Sequence, residues 1–298
     1  MRTELRKASK IIIKLGSSVI DNPDETIIIG ICTSITKFLK ENKRVILVTS
    51  GAISQGMKIM DVQNKPKDIK KLQSLAAVGQ QKLMLMYERI FSEHDFQIAQ
   101  VLITHNDIND RVRYLNIKGT LEELLNNGVI PIINENDVVS TEEIKFGDND
   151  NLASMIANLV NADLLIILTD QKGMYDKNPD GYEEARLINR IDIADLKDFN
   201  SDYRTHSEIG TGGFITKIQA AKRAALSNTY TVIANGLEKN ILNNIFADDN
   251  TGTLFIPSEK KISAKKQWLD TTDSKGSIII DDGACKAISD NNSLLLVG

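Results

Sequence analysis

Asp163-Leu164-Leu165-Ile166-Ile167-Leu168-Thr169-Asp170 is a strictly apolar run bracketed by polar residues. A strand with one wet face alternates apolar and polar positions, whereas an unbroken apolar run is covered on both faces, the condition of a parallel sheet between two helical layers. Similar β-branched runs occupy residues 10–15, 44–49, 97–104, 129–134 and 229–234. Segments of helical period separate them. Leu72, Leu75, Gly79, Leu83, Met86 and Ile90 recur at the spacing of one long amphipathic helix, and residues 112–127 read as another, stopped by Gly128, which tolerates a left-handed backbone. The alternation predicts an α/β fold, a three-layer αβα sandwich around a mainly parallel sheet.

The chain has 298 residues, 42% of them hydrophobic and 26% charged, with a net charge of −4. Such a composition supports a sizeable core and excludes disorder and collagen classes. Without a general basic field, binding to a nucleic-acid backbone is a poor reading. Cys32 and Cys285 stand far apart with no CxxC pair, which suits a reducing cytoplasm and offers neither a disulfide framework nor a zinc site. The basic start at residues 1–10 runs into Ile11-Ile12-Ile13, but Lys14 interrupts the apolar run, so it reads as a leading strand rather than a signal peptide. No stretch approaches the ~20 apolar residues of a membrane span.

In sheets of this kind ligands bind at the carboxyl ends of the strands. Polar clusters fall there repeatedly: Lys14-Leu15-Gly16-Ser17-Ser18, Thr49-Ser50-Gly51-Ala52, Asn134-Glu135-Asn136-Asp137 and Thr169-Asp170-Gln171-Lys172-Gly173. Gly210-Thr211-Gly212-Gly213-Phe214-Ile215-Thr216-Lys217 leads into a helix expected over residues 218–226. Backbone N–H groups at a helix entry favour phosphate, and Lys217 adds a full charge. The loop is neither a Walker A motif nor a dinucleotide fingerprint. Two lysines facing one crevice suit a clamp on a transferring phosphoryl group. Gly147-Asp148-Asn149-Asp150-Asn151 precedes a helix expected over residues 152–160, and this exceeds what N-capping requires. An acidic residue there would hold the lysines, and an Asn would take a substrate carboxylate. The DxDxDG pattern of a calcium loop is absent.

Taken together, Ile13-Lys14-Leu15-Gly16-Ser17-Ser18, Val48-Thr49-Ser50-Gly51-Ala52-Ile53, Leu75-Ala76-Ala77-Val78-Gly79-Gln80, Asn134-Glu135-Asn136-Asp137, Gly147-Asp148-Asn149-Asp150-Asn151-Leu152, Leu168 to Tyr175 and Gly210 to Lys217 resemble the amino acid kinase family, and the glutamate 5-kinases within it. The resemblance implies transfer of the γ-phosphoryl of ATP to the side-chain carboxylate of L-glutamate, the first step of proline synthesis. It assigns Lys14, Lys217 and Asp150 to catalysis. Ser50, Asp137 and Asn149, with Asn134 and Asp148, would bind glutamate. Lys14, Thr169, Asp170, Thr211, Gly212, Gly213, Phe214, Ile215, Thr216 and Lys217 would bind ATP. Mg²⁺ would ride on the ATP phosphates without direct protein ligands. Proline as inhibitor, a homo-oligomer (dimer or tetramer), a cytoplasmic location and γ-glutamyl phosphate reductase as pathway partner are also implied. By the same resemblance residues 1–257 form the kinase domain, residues 258–275 a linker, and residues 276–298 the incomplete opening of a PUA-like module, with a strand at 277–280 and a helix near 283–288. RNA binding through that fragment is not expected. A different class of function, a glutamate- or proline-sensing protein without turnover, would have no need of both lysines and Asp150.

Overall fold

The structure, a computed structural model, describes residues 2–139, 149–177, 179, 181–182, 184–197, 212–247, 250–258 and 280–289. The chain runs α1 (Thr3–Arg6), β1 (Lys10–Leu15), α2 (Ser17–Ile20), α3 (Glu25–Lys40), β2 (Arg44–Thr49), α4 (Ala52–Ile59), α5 (Ile69–Ser92) and β3 (Ile98–Ile103). It continues through α6 (His105–Asn109), α7 (Arg111–Asn126), β4 (Ile130–Glu135), α8 (Asn149–Val160) and β5 (Leu164–Thr169). A short strand β6 (Arg190–Asp192) and a 3-10 turn (Ile193–Lys197) precede α9 (Gly212–Ala225), β7 (Tyr230–Asn235), α10 (Ile241–Ala247), β8 (Thr253–Ile256) and α11 (Asp282–Ser289).

One eight-stranded sheet has the order β3-β4-β2-β1-β5-β7-β8-β6. Every pairing from β3 to β7 is parallel, while β8 runs antiparallel to β7 and parallel to β6. The six expected strands are all present, displaced at their ends by no more than a residue or so. The two unexpected ones, β6 and β8, have 3 and 4 residues, too short to display a period of two.

Strand pleating divides the core into two. Ile11, Ile13 and Leu15 of β1, with Leu164, Ile166 and Leu168 of β5, face a cluster built with α3, α5 and α10. Ile12, Leu165 and Ile167 face the opposite cluster, built with α7, α8 and α9. Lys14 is the next residue on the side of Ile12, so alternation alone directs its side chain toward α8 and α9.

Helix α5 is capped by Asp68, whose carboxylate accepts a hydrogen bond from the Lys71 N–H at 2.9 Å. Its buried stripe includes Leu72, Leu75, Gly79, Leu83 and Ile90, as the spacing predicts, and adds Tyr87 where Met86 is only partly covered. Helices α4 and α5 cross backbone against backbone. A Cβ on Gly79 would lie 1.8 Å from the Ala52 carbonyl oxygen and 2.4 Å from the Gly56 nitrogen. Gly128 takes φ +70° after α7, the left-handed stop its position requires.

Two helices begin earlier than the sequence suggests. Helix α8 starts at Asn149 rather than residue 152, and α9 at Gly212 rather than residue 218. In α9 the burial of Phe214 and Ile218 against one core outweighs the low helical propensity of the glycines, so Lys217 sits within the helix and not in a preceding loop. The expected helix near 283–288 is present as α11, while residues 277–279 of the expected strand lie outside the described residues. Among the described residues no helix is long and apolar enough to cross a membrane. Cys32 is buried and Cys285 is exposed.

The α4–α5 crossing generates a prediction. Gly79→Ala places a methyl group on backbone atoms that cannot rotate away. Overpacking of this kind costs about 3 kcal/mol or more, so the melting temperature is expected to fall by roughly 5–10 °C. A thermal melt followed by circular dichroism checks it; an unchanged midpoint refutes the close crossing.

Candidate functional site

Parallel strands leave the sheet on the same side, so Lys14 of β1, Thr49 and Ser50 after β2, Asn134 and Glu135 of β4 and Thr169 of β5 share one edge. The polar clusters of the sequence therefore converge. Onto that edge α8 and α9 bring Asn149, Asp150 and Lys217.

Asp150 is the junction. Its Oδ1 stands 2.6 Å from Lys14 Nζ and its Oδ2 3.0 Å from Lys217 Nζ. Thr216 donates its hydroxyl to the same Oδ2 at 3.0 Å. Lys14, Asp150 and Lys217 are all buried. Burial alone raises the Asp150 carboxyl, but the charges and hydrogen bonds of Lys14 and Lys217 outweigh it and hold the group below the usual carboxylate range. Removing one partner of a buried ionic cluster typically costs about 3–5 kcal/mol, so these three side chains fix one another's places. Within this cluster of described residues one carboxylate faces two ammonium groups, a positive balance suited to an anion such as a phosphoryl group.

The preceding residue, Asn149, ties the same helix to the neighbouring strands. Its Nδ2 donates to the Thr49 carbonyl at 2.7 Å and to Asn134 Oδ1 at 2.9 Å, with Ser50 Oγ at 3.1 Å. Asn134 Oδ1 also accepts the Glu135 N–H at 2.9 Å. That fixes the orientation of the Asn134 amide, and its Nδ2 donates to Gln80 Oε1 at 2.8 Å. Beneath them the Thr49 hydroxyl and the Tyr87 phenol share a buried hydrogen bond of 2.8 Å. Asn134, Ser50 and Asn149 thus form one network, as the sequence places them in one site.

Next to this network a cavity of about 380 Å³ is lined by Gln80, Glu88, Gln100, Glu135, Asn136 and Asp137 among others. Its charged lining is acidic. Burial, and then the neighbouring Glu135 charge, push the Asp137 carboxyl up to about 6, against a smaller opposing pull from Lys65. An ammonium group in this cavity would relieve both effects.

On the side of β5, Thr169 is buried at the strand end and donates its hydroxyl to Asp170 Oδ1 at 3.0 Å. Gly212 and Gly213 form the first turn of α9, and Ile215 is half-buried. The Phe214 side chain packs into the core with Ile218. Asp148 and Thr211 lie outside the described residues. Among the described residues no three His, Cys, Asp or Glu side chains converge to hold a metal ion.

Three contributors escaped the sequence reading: Gln80, Glu135 and His105. Gln80 carried a signal, being a polar residue on the buried stripe of α5 beside Gly79. Glu135 stands in the Asn134–Asp137 cluster but was given no role of its own, and His105 carried no signal, being a single polar residue just beyond an expected strand.

The raised Asp137 pKa makes stability depend on pH. Between its ordinary value, 3.8, and about 6 the unfolded chain releases a proton that the folded chain retains, so stability falls as pH rises through that window. Above it the ionised carboxylate costs on the order of 3 kcal/mol. Asp137→Asn is expected to melt roughly 5–10 °C above the parent protein at pH 8 and together with it at pH 4. Melts at the two pH values check this; equal midpoints at pH 8 refute it.

The Amino acid kinase family model matches residues 9–235. A glutamate 5-kinase of Marinomonas sp. (strain MWYL1) is 42% identical over 304 residues, covering 100% of this chain and 81% of the relative. That of Azoarcus sp. (strain BH72) is 43% identical over 303 residues, covering 100% and 82%. Among solved structures, a carbamate kinase from Giardia superposes with a TM-score of 0.56 at 18% identity, covering 84% of this chain and 99% of that one. UMP kinase from Bacillus anthracis gives 0.54 at 13% identity, covering 84% and 97%, and these two likenesses speak for the fold. The chain belongs to the amino acid kinase family and, within it, to the glutamate 5-kinases.

Proposed function

We propose that this chain transfers the γ-phosphoryl group of ATP to the side-chain carboxylate of L-glutamate, giving L-glutamyl 5-phosphate. The observation that carries the reading is the Lys14–Asp150–Lys217 cluster, one residue along α8 from the Asn149–Asn134–Ser50 network. A carboxylate is already a competent nucleophile, so no general base is required. Positioning and charge neutralisation then supply the catalysis. Lys14 and Lys217 offset the charge that spreads over the phosphoryl oxygens, and Asp150 keeps the two ammonium groups apart and aimed. Ser50, Asn134, Asn149 and Asp148 hold the acceptor, with Asp137 paired to its ammonium group. Thr169, Asp170 and residues 211–217 hold the nucleotide, through backbone groups where side chains such as that of Phe214 are buried.

Mg²⁺ carried on the ATP phosphates would supply further neutralising charge when bound. Asp150 is filled by two lysines and Thr216, so the protein's part is to bind the phosphates that carry the ion. The reading extends to residues 1–257 as the kinase domain, residues 258–275 as a linker and residues 276–298 as PUA-like. It also extends to proline as an inhibitor, a homo-oligomer, a reductase that consumes the acyl phosphate, and a cytoplasmic location, which two cysteines without a CxxC pair suit.

The direct test is ADP release with L-glutamate set against aspartate, N-acetylglutamate, carbamate and uridylate. L-glutamate is the acceptor expected to turn over, and turnover of another in its place refutes the assignment. Lys217→Ala is expected to lower kcat about 10²–10³-fold, the usual loss when a transition-state charge contact is removed. Because the Asp137 carboxyl is pushed up to about 6, the apparent glutamate KM should climb below that pH. The slope approaches about tenfold per pH unit as the ammonium partner is neutralised, and a KM flat between pH 5 and 8 counts against the pairing.

A further inference from the structure

We propose that His105 is a positioning residue for the acceptor site, holding the end of β4 to the first turn of α8 through Glu135 and Asn151. The proposal rests on the glutamate kinase reading.

His105 is the first residue of α6, and its backbone is fixed by a capping box. Asp107 Oδ2 accepts the Thr104 N–H at 2.8 Å, and Thr104 Oγ1 accepts the Asp107 N–H at 3.3 Å. Arg113 anchors Asp107 in turn, at 2.7 Å. The imidazole is held between two elements. Its Nε2 lies 3.2 Å from Asn151 Nδ2, and its Nδ1 lies 3.5 Å from Glu135 Oε1, longer than a hydrogen bond and within reach of an ion–dipole contact between the ring N–H and the carboxylate. An amide nitrogen only donates, so Nε2 accepts and the ring proton belongs on Nδ1, facing the Glu135 carboxylate. That tautomer suits both neighbours.

The two neighbours are not incidental. Glu135 follows Asn134, and Asn151 stands two residues from Asn149, and Asn134 and Asn149 are themselves joined at 2.9 Å. Helix α8 is held to β2 by the Asn149–Thr49 bond and to β1 by the Asp150–Lys14 pair, and it meets β4 through Asn149 and Asn134. The His105 link gives the end of β4 a second tie to α8, setting the Glu135 side of that strand end against the helix. The acceptor groups of α8 are then set against those of β4 before substrate arrives.

The experiment measures steady-state kinetics of His105→Phe and His105→Gln in the full chain, with thermal melts. Phe keeps the ring and loses both nitrogens; Gln offers an amide donor and an acceptor. The glutamate KM is expected to rise about tenfold in the Phe variant, with the ATP KM unchanged, and to return to within about threefold of the parent in the Gln variant. A glutamate KM within about twofold of the parent in the Phe variant, a parallel rise in both KM values, or failure of Gln to rescue overturns the positioning role. If the Phe variant fails to fold, Asn151→Ala breaks the same link from α8 and carries the same expectations. Turnover of L-glutamate by the parent protein is measured alongside: its absence overturns the kinase reading and this proposal together, whereas unchanged KM values in the variants overturn the positioning role alone.

Discussion

Lys14 and Lys217 share the carboxylate of Asp150 at 2.6 and 3.0 Å, away from solvent, and the arrangement of the molecule around its crevice answers to that constraint. A lysine deprived of water and of a partner is too costly to keep charged. Each ammonium group therefore depends on Asp150, and Asp150, whose burial opposes ionisation, depends on both. The three side chains come from β1, α8 and α9, so the ion cluster fixes how two helices of one layer sit over the central strand. Among these three side chains the balance is positive, which on the proposed reading suits an incoming phosphate.

The sheet makes this cluster possible through its period of two. Ile12 and Lys14 face α8 and α9, while Ile11, Ile13 and Leu15 face the other layer. A slip of one residue in β1 would drive Lys14 into the apolar core beneath α3 and α5. Pairing of Lys14 with Val48 on one side and Ile167 on the other secures the register. The strand order also matters. Chain connections proceed from β1 toward β2 on one side, and from β5 toward β7 on the other, so a crevice opens where the direction of winding reverses. Lys14 sits at that point.

What the sequence disclosed follows from the range of each interaction. Unbroken apolar runs such as residues 164–168 reveal burial on both faces, because the period is local; the polar residues at their ends reveal the edge where ligands gather. The starts of α8 and α9 were hidden because they depend on tertiary contacts. Asn149 and Asp150 are drawn into helix by partners on β1, β2 and β4, and Phe214 by a core built from distant segments. Strands β6 and β8 were hidden by brevity. Gln80 and His105 were obscured for a third reason. Their partners, Asn134 and Asn151, lie 54 and 46 positions away, and the local pattern around each records only its own helix or strand end.

The distribution of charge along the edge bears on which carboxylate of the acceptor would react. Acidic groups, Glu135 and Asp137, gather at the end of β4, and the lysine pair at β1 and α9. With β2 between β4 and β1, these poles are separated by two strand spacings, about 10 Å. A molecule with an ammonium group at one end and a carboxylate several bonds away lies naturally along that axis. Its α-carboxylate, one carbon from the ammonium, is held near the acidic pole, and only the distal carboxylate extends toward the lysines. On the proposed reading, reaction at the side chain rather than the main chain follows from the field of the crevice. Aspartate, one methylene shorter, would give up either its ammonium pairing or its approach to the phosphoryl group.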